Sequence, residues 1–118
     1  MTDRELLELA AKAAGYDVEP AFDGGSDFLN TTLNTWWNPL DIDGDAFRLA
    51  VKLRIDVDHV LLENGSSYVL VEQKSYTKTS ESIRCIEKDF NEQDRLEITR
   101  RAIVQVAAEI GKRMLKDD

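Results

Sequence analysis

The chain has 118 residues, of which 42% are hydrophobic and 32% charged, with a net charge of −8. That length suits one domain, 1–118, able to bury a core without disulfides or metal, and no apolar run approaches the roughly 20 residues needed to cross a bilayer. The lone cysteine, Cys85, excludes an internal disulfide, and the mixed-sign start Met1-Thr2-Asp3-Arg4-Glu5 lacks the basic leader of a signal peptide, so a cytoplasmic protein is expected.

Thr2-Asp3-Arg4-Glu5 has the form of a capping box, and Leu6, Leu9, Ala10 and Ala13 follow at helical spacing up to Gly15. A first helix over about 3–14 is predicted. Tyr16 to Phe22 and Leu29 to Trp37 are rich in aromatic and β-favouring residues and read as two strands joined by Asp23-Gly24-Gly25-Ser26. Asn38-Pro39 ends the second strand, because proline cannot donate to a ladder and restrains the residue before it.

Ala46, Leu49, Ala50 and Leu53 then recur at i, i+3, i+4 and i+7, the stripe of a second helix over about 44–54. Asp41, Asp43 and Asp45 fall at or before its start, where carboxylates cap amides and meet the positive end of the dipole. Val57 to Glu63 and Ser67 to Ser75 flank Asn64-Gly65, a hairpin signal, with Val69 and Val71 on one face and Tyr68 and Leu70 on the other. After a polar segment, Tyr76 to Glu81, Ile83 to Glu87 reads as a further strand with Cys85 as a buried small hydrophobe. Ile103, Val106, Ala107, Ile110 and Met114 mark a terminal helix. The order α-β-β-α-β-β-β-α, with short connections, predicts an α+β fold: three helices on one mostly antiparallel sheet of four to five strands.

Charge is unevenly placed. Residues 1–59 hold 12 acidic and 5 basic side chains, and residues 60–118 hold 11 and 10. An acidic surface repels phosphate backbones, which disfavours direct nucleic-acid binding and leaves either solubility or an acidic face offered to a basic partner.

Metal and catalytic motifs are sparse. Asp41-x-Asp43-Gly44-Asp45 fails as an EF-hand, since glycine is fourth rather than sixth and the twelfth residue is Lys52. His59 stands alone among histidines. The run Arg54-Ile55-Asp56-Val57-Asp58-His59, the Asn64-Gly65 turn and Val71-Glu72-Gln73-Lys74 resemble the core hairpin of the PD-(D/E)xK nuclease superfamily. That resemblance implies Asp56 or Asp58 with Glu72 as ligands of Mg²⁺ or Mn²⁺ and Asp58, Glu72 and Lys74 as the catalytic set. It covers about 20 residues.

A wider resemblance rests on three segments: Asp3 to Gly15; Trp37-Asn38-Pro39-Leu40 with Asp43 to Leu53; and Thr99-Arg100-Arg101-Ala102-Ile103 on to Gly111. Together they resemble small phage and prophage proteins of unknown function, the NinX-like and phage ABA-sandwich proteins. The resemblance implies a phage-encoded accessory protein in a bacterial cytoplasm that binds a host or phage protein, with no cofactor and no membrane contact. The expected binding surface is Trp36 or Trp37, whichever faces out of its strand, with Asp41, Asp43 and Asp45 beside it. The plainer expectation buries the outer tryptophan under the first helix or the loop at 23–28.

Overall fold

The computed structural model describes residues 1–21, 27–74 and 81–116 and is α+β. Helix α1 spans Asp3–Ala14, with Thr2 Oγ1 accepting from the Glu5 amide at 3.1 Å and Gly15 closing it at φ 74°. Three short strands follow, β1 (Val18–Pro20), β2 (Phe28–Asn30) and β3 (Thr35–Trp37), in an antiparallel sheet of order β1-β2-β3.

The single strand expected over 29–37 is thus two strands, joined by a turn. Asn34 occupies the left-handed region at φ 57°, which asparagine tolerates, and the buried Asn30 side chain accepts the Leu33 amide at 3.0 Å. This bond and the left-handed Asn34 favour a turn over continuation of the strand. The expected link Asp23-Gly24-Gly25-Ser26 and most of the polar segment 76–81 lie outside the described residues.

Helix α2 (Asp43–Leu53) leads into β4 (Asp56–Leu61), which pairs with β5 (Ser67–Gln73) through the Asn64-Gly65 turn. The third strand, β6 (Ile83–Lys88), pairs with β5 on its other side, giving a second antiparallel sheet, β4-β5-β6. The molecule therefore holds six strands in two sheets rather than four or five in one. The Asn38-Pro39 break and α2 separate the two hairpin systems, and no strand of one pairs with a strand of the other among the described residues.

Helix α3 (Arg95–Lys116), preceded by a 3₁₀ turn at Glu92–Asp94, organises the core. It packs on α1, α2, β5 and β6. Its middle is therefore buried well beyond one stripe, with Ala102, Ile103, Val104, Val106, Ala107 and Ala108 all in the core, as a helix covered by several elements requires. Val69 and Val71 of β5 are fully buried on the α3 side, whereas Tyr68 and Leu70, on the other face, are partly buried. No helix among the described residues is long and apolar enough to cross a membrane.

Candidate functional site

Alternation along β3 places consecutive tryptophans on opposite faces. Trp37 is 2% exposed, pairs across the sheet with Phe28, and meets Tyr16 edge-on at a centroid distance of 5.8 Å. Trp36 points the other way and is 63% exposed. The expectation that α1 covers the outer tryptophan is overturned, because α1 sends its packing face to α3 and Trp36 stays open in a cleft that Ile42 also lines; most of the loop at 23–28 lies outside the described residues.

The chain after Trp37 is pinned by Asn38, the residue at the expected strand end. Asn38 is buried, and each of its polar groups is used. Its backbone N–H donates to Asp45 Oδ2 at 3.0 Å, and its Nδ2 donates to Asp27 Oδ1 at 3.0 Å and Asp41 Oδ2 at 3.2 Å. Its Oδ1 accepts from the Leu40 amide at 3.0 Å, while its carbonyl accepts from the amides of Asp41 and Ile42. The only signal for this role is the Asn-Pro dipeptide followed by closely spaced carboxylates.

The three aspartates consequently divide. Asp45 is buried, 6% exposed, and is held by the Asn38 amide and by Arg48 at 3.1 Å. It is removed from the expected binding surface, because its carboxylate is spent on fixing the 38–45 turn. Asp43 and Asp45 fall in the first turn of α2, as expected, but no carboxylate caps it: the N-cap is Ile42, with no side-chain cap bond. Asp43 is exposed but neutralised by Arg100, whose guanidinium donates at 2.7 Å to both Asp43 Oδ1 and the Leu40 carbonyl. Asp41 is exposed and bonded to Asn38.

What results is an open cleft of about 580 Å³ with Trp36 and Ile42 on its walls, Asn38 and Asp45 in its lining, and Arg48 and Asp27 also contributing. An exposed indole on a turn rigidified by buried hydrogen bonds offers a large contact area at little cost in ordering on binding.

The nuclease-like residues also converge. Asp56 lies directly opposite Glu72, and Lys74 Nζ is 3.6 Å from Asp56 Oδ2. Lys74 therefore pairs across the hairpin rather than with Glu72 on its own strand. Asp58 lies two residues along, opposite Leu70, on the same face. Glu72, however, is buried against Arg84 of β6, whose guanidinium is 2.7 Å from Glu72 Oε2. A cation already holds the carboxylate that Mg²⁺ or Mn²⁺ would bind, so a metal at this site would have to displace Arg84. Among the described residues, no group of three or more His, Cys, Asp or Glu side chains is placed to hold an ion.

His59 and Cys85 are tied up elsewhere. Arg95 donates to His59 Nδ1 at 2.9 Å, and the same guanidinium binds Ser67 and Glu92. Its hydrogen bond to Glu92, at 2.6 Å, pulls that carboxyl below its ordinary range. Cys85 is half-buried rather than fully buried, faces α3 and donates to Gln105 Oε1 at 3.1 Å. Burial, then the nearby Glu87 charge, push its thiol up to about 11, which makes it a poor nucleophile. Comparison of the chain with protein-family models, curated proteins and solved structures finds no match to any of them.

Proposed function

We propose that the protein is a non-enzymatic binding module that captures a host or phage protein through the cleft beside Trp36. The observation that carries this reading is the 63% exposure of Trp36 on a turn locked by the buried Asn38. A large aromatic left in water beside Ile42 contributes nothing to this chain's own core and is well suited to anchor a partner. The resemblance to small phage proteins supports an accessory role in infected cells, such as counter-defence. The acidic balance of residues 1–59 supports a partner with a basic face, which an acidic surface could engage as a mimic of nucleic acid.

The test is affinity capture from infected bacteria with wild type, Trp36→Ala and Lys74→Ala, followed by reconstitution with the purified partner. A partner retained by Lys74→Ala and bound at least tenfold more weakly by Trp36→Ala supports the proposal. Equal binding by all three removes Trp36 from the interface.

A second reading, a metal-dependent nuclease, is favoured by the Asp56–Glu72 register and the nearby Lys74. Nicking of supercoiled DNA in Mg²⁺ or Mn²⁺ by wild type, absent in Lys74→Ala, would replace the binding module with this enzyme. The Arg84–Glu72 ion pair weighs against it.

A further inference from the structure

Among the described residues, the second sheet has an unpaired edge. Helix α3 packs on β5 and β6, and β4 is an edge strand, paired on one side only among the described residues, with five of its six residues exposed. An edge strand presents a row of unpaired N–H and C=O groups. Beside it opens an apolar groove of about 410 Å³, walled by Phe47 and Val51 of α2, Val57 of β4 and Leu96 of α3. Phe47 is 69% exposed and Leu96 66%, so this apolar wall faces water.

The two faces of β4 differ in chemistry. Cross-strand partners share a face, so Val57, His59 and Leu61 lie on the side of the buried Val69 and Val71; Val57 lines the groove, while His59 and Leu61 border the neighbouring pocket that holds Glu92 and Arg95. Asp56, Asp58 and Val60 lie on the other. Asp58 has no hydrogen-bond or ion-pair partner among the described residues, and Asp56 meets only the exposed Lys74, at 3.6 Å. A strand added here would thus place one set of side chains toward the apolar groove at the Val57 end and the alternate set beside the Asp56 and Asp58 carboxylates.

We infer that the free edge of β4 accepts an extended segment of a partner protein in which apolar residues alternate with lysine or arginine. The backbone supplies hydrogen bonds, the groove takes the apolar set, and Asp56 and Asp58 meet the basic set. Charge complementarity selects this occupant over a second copy. Two-fold self-pairing of β4 would bring Asp56 and Asp58 of both chains onto one face, in molecules that each carry a charge of −8. The site is separate from the Trp36 cleft and stands or falls without it.

The probe is a fluorescent ten-residue peptide alternating valine and lysine, titrated with the full chain and followed by anisotropy. The expected result is saturable binding that falls at least tenfold in Asp58→Lys, several-fold in Phe47→Ala, and not at all in Trp36→Ala, with circular dichroism checking that each variant is folded. Pairing at one edge uses every second amide of the added strand. Methylating the amides of one residue type should therefore abolish binding, while methylating the other set leaves it intact. Absence of binding, equal loss from both methylated peptides, or full binding by Asp58→Lys would each overturn the inference. So would self-association in sedimentation velocity that Asp58→Lys abolishes, which would give the edge to a second copy.

Discussion

Gly111 of α3 packs directly on the main chain of Leu9 in α1: a Cβ built on Gly111 would overlap the Leu9 carbonyl oxygen and lie 2.9 Å from its carbonyl carbon. Glycine here is required by approach rather than by backbone angle, since the residue sits within an ordinary helical turn. Alanines 10, 11, 14, 107 and 108 are buried in the same core, so the two helices meet along small side chains.

Gly111→Ala should accordingly destabilise the protein, although alanine is the better helix former by about 1 kcal/mol. Relief of a backbone clash requires α1 and α3 to move apart, and overpacking of this kind costs about 1–3 kcal/mol. The expected net outcome is a melting temperature lower by roughly 5 °C, read by thermal denaturation. An unchanged or raised value would show that the helices separate freely.

The two tryptophans should respond oppositely to truncation. Trp37→Ala removes a fully packed aromatic and should cost about 3–5 kcal/mol in urea unfolding. Trp36→Ala should stay within about 0.5 kcal/mol of wild type, as expected for an exposed side chain. A large loss in the second variant would mean that Trp36 supports the fold rather than a partner.

Asn38→Ala leaves the Leu40 amide without its acceptor and takes a donor from Asp27 and Asp41. Buried polar groups left unpaired cost about 1–3 kcal/mol, so a loss near 2 kcal/mol is expected. Asp43→Asn, which alters an exposed partner of Arg100, should cost under about 1 kcal/mol. Comparison of the two midpoints in urea checks the order.

Helix α2 ends on Arg54 in the left-handed region at φ 56°, where glycine is the usual residue. Its amide closes the helix by bonding back to Val51. Arg54→Gly relieves the left-handed penalty of a residue bearing a Cβ and should raise stability by about 1 kcal/mol. A lower midpoint would show that the arginine side chain contributes more than its backbone strain.

Cys85 gives the pH dependence. Its thiol, near 9.0 when unfolded, rises to about 11 in the fold, so between those values the folded state holds a proton that the unfolded state has lost. The contribution is fully present below pH 9 and declines as pH rises through 11. Maleimide labelling at pH 8 should be much slower in the native protein than in urea. Replacing Cys85 with serine should flatten the fall in stability between pH 9 and 11.

The features legible in the chain were those decided by near neighbours. Thr2, Glu5 and Gly15 bound α1 through contacts within four residues, and Asn64-Gly65 closes the β4–β5 hairpin for the same reason. A period of two puts Glu72 and Lys74 on one face, and the nuclease resemblance implies Asp56 or Asp58 beside them; the register sets Asp56 opposite Glu72 and within 3.6 Å of Lys74. The break between β2 and β3 is not legible because Leu29 to Trp37 is rich in aromatic and β-favouring residues throughout, whereas the Asn30 side-chain bond to Leu33 and the left-handed Asn34 make a turn there.

Amphipathic periods and turn chemistry were enough to set the α+β class and the three helices, because a helix or hairpin is chosen by residues a few positions apart. Alternation required the two tryptophans to diverge, but burial by Phe28 and Tyr16 decided which one faces inward. The fates of Asp43, Asp45 and Glu72 were likewise tertiary. Each carboxylate is claimed by a group that only folding brings near: Arg100 is 57 positions from Asp43 in sequence, and Arg84 reaches Glu72 from the neighbouring strand. Sequence patterns specify which face is apolar, but which charge meets which depends on how those faces stack.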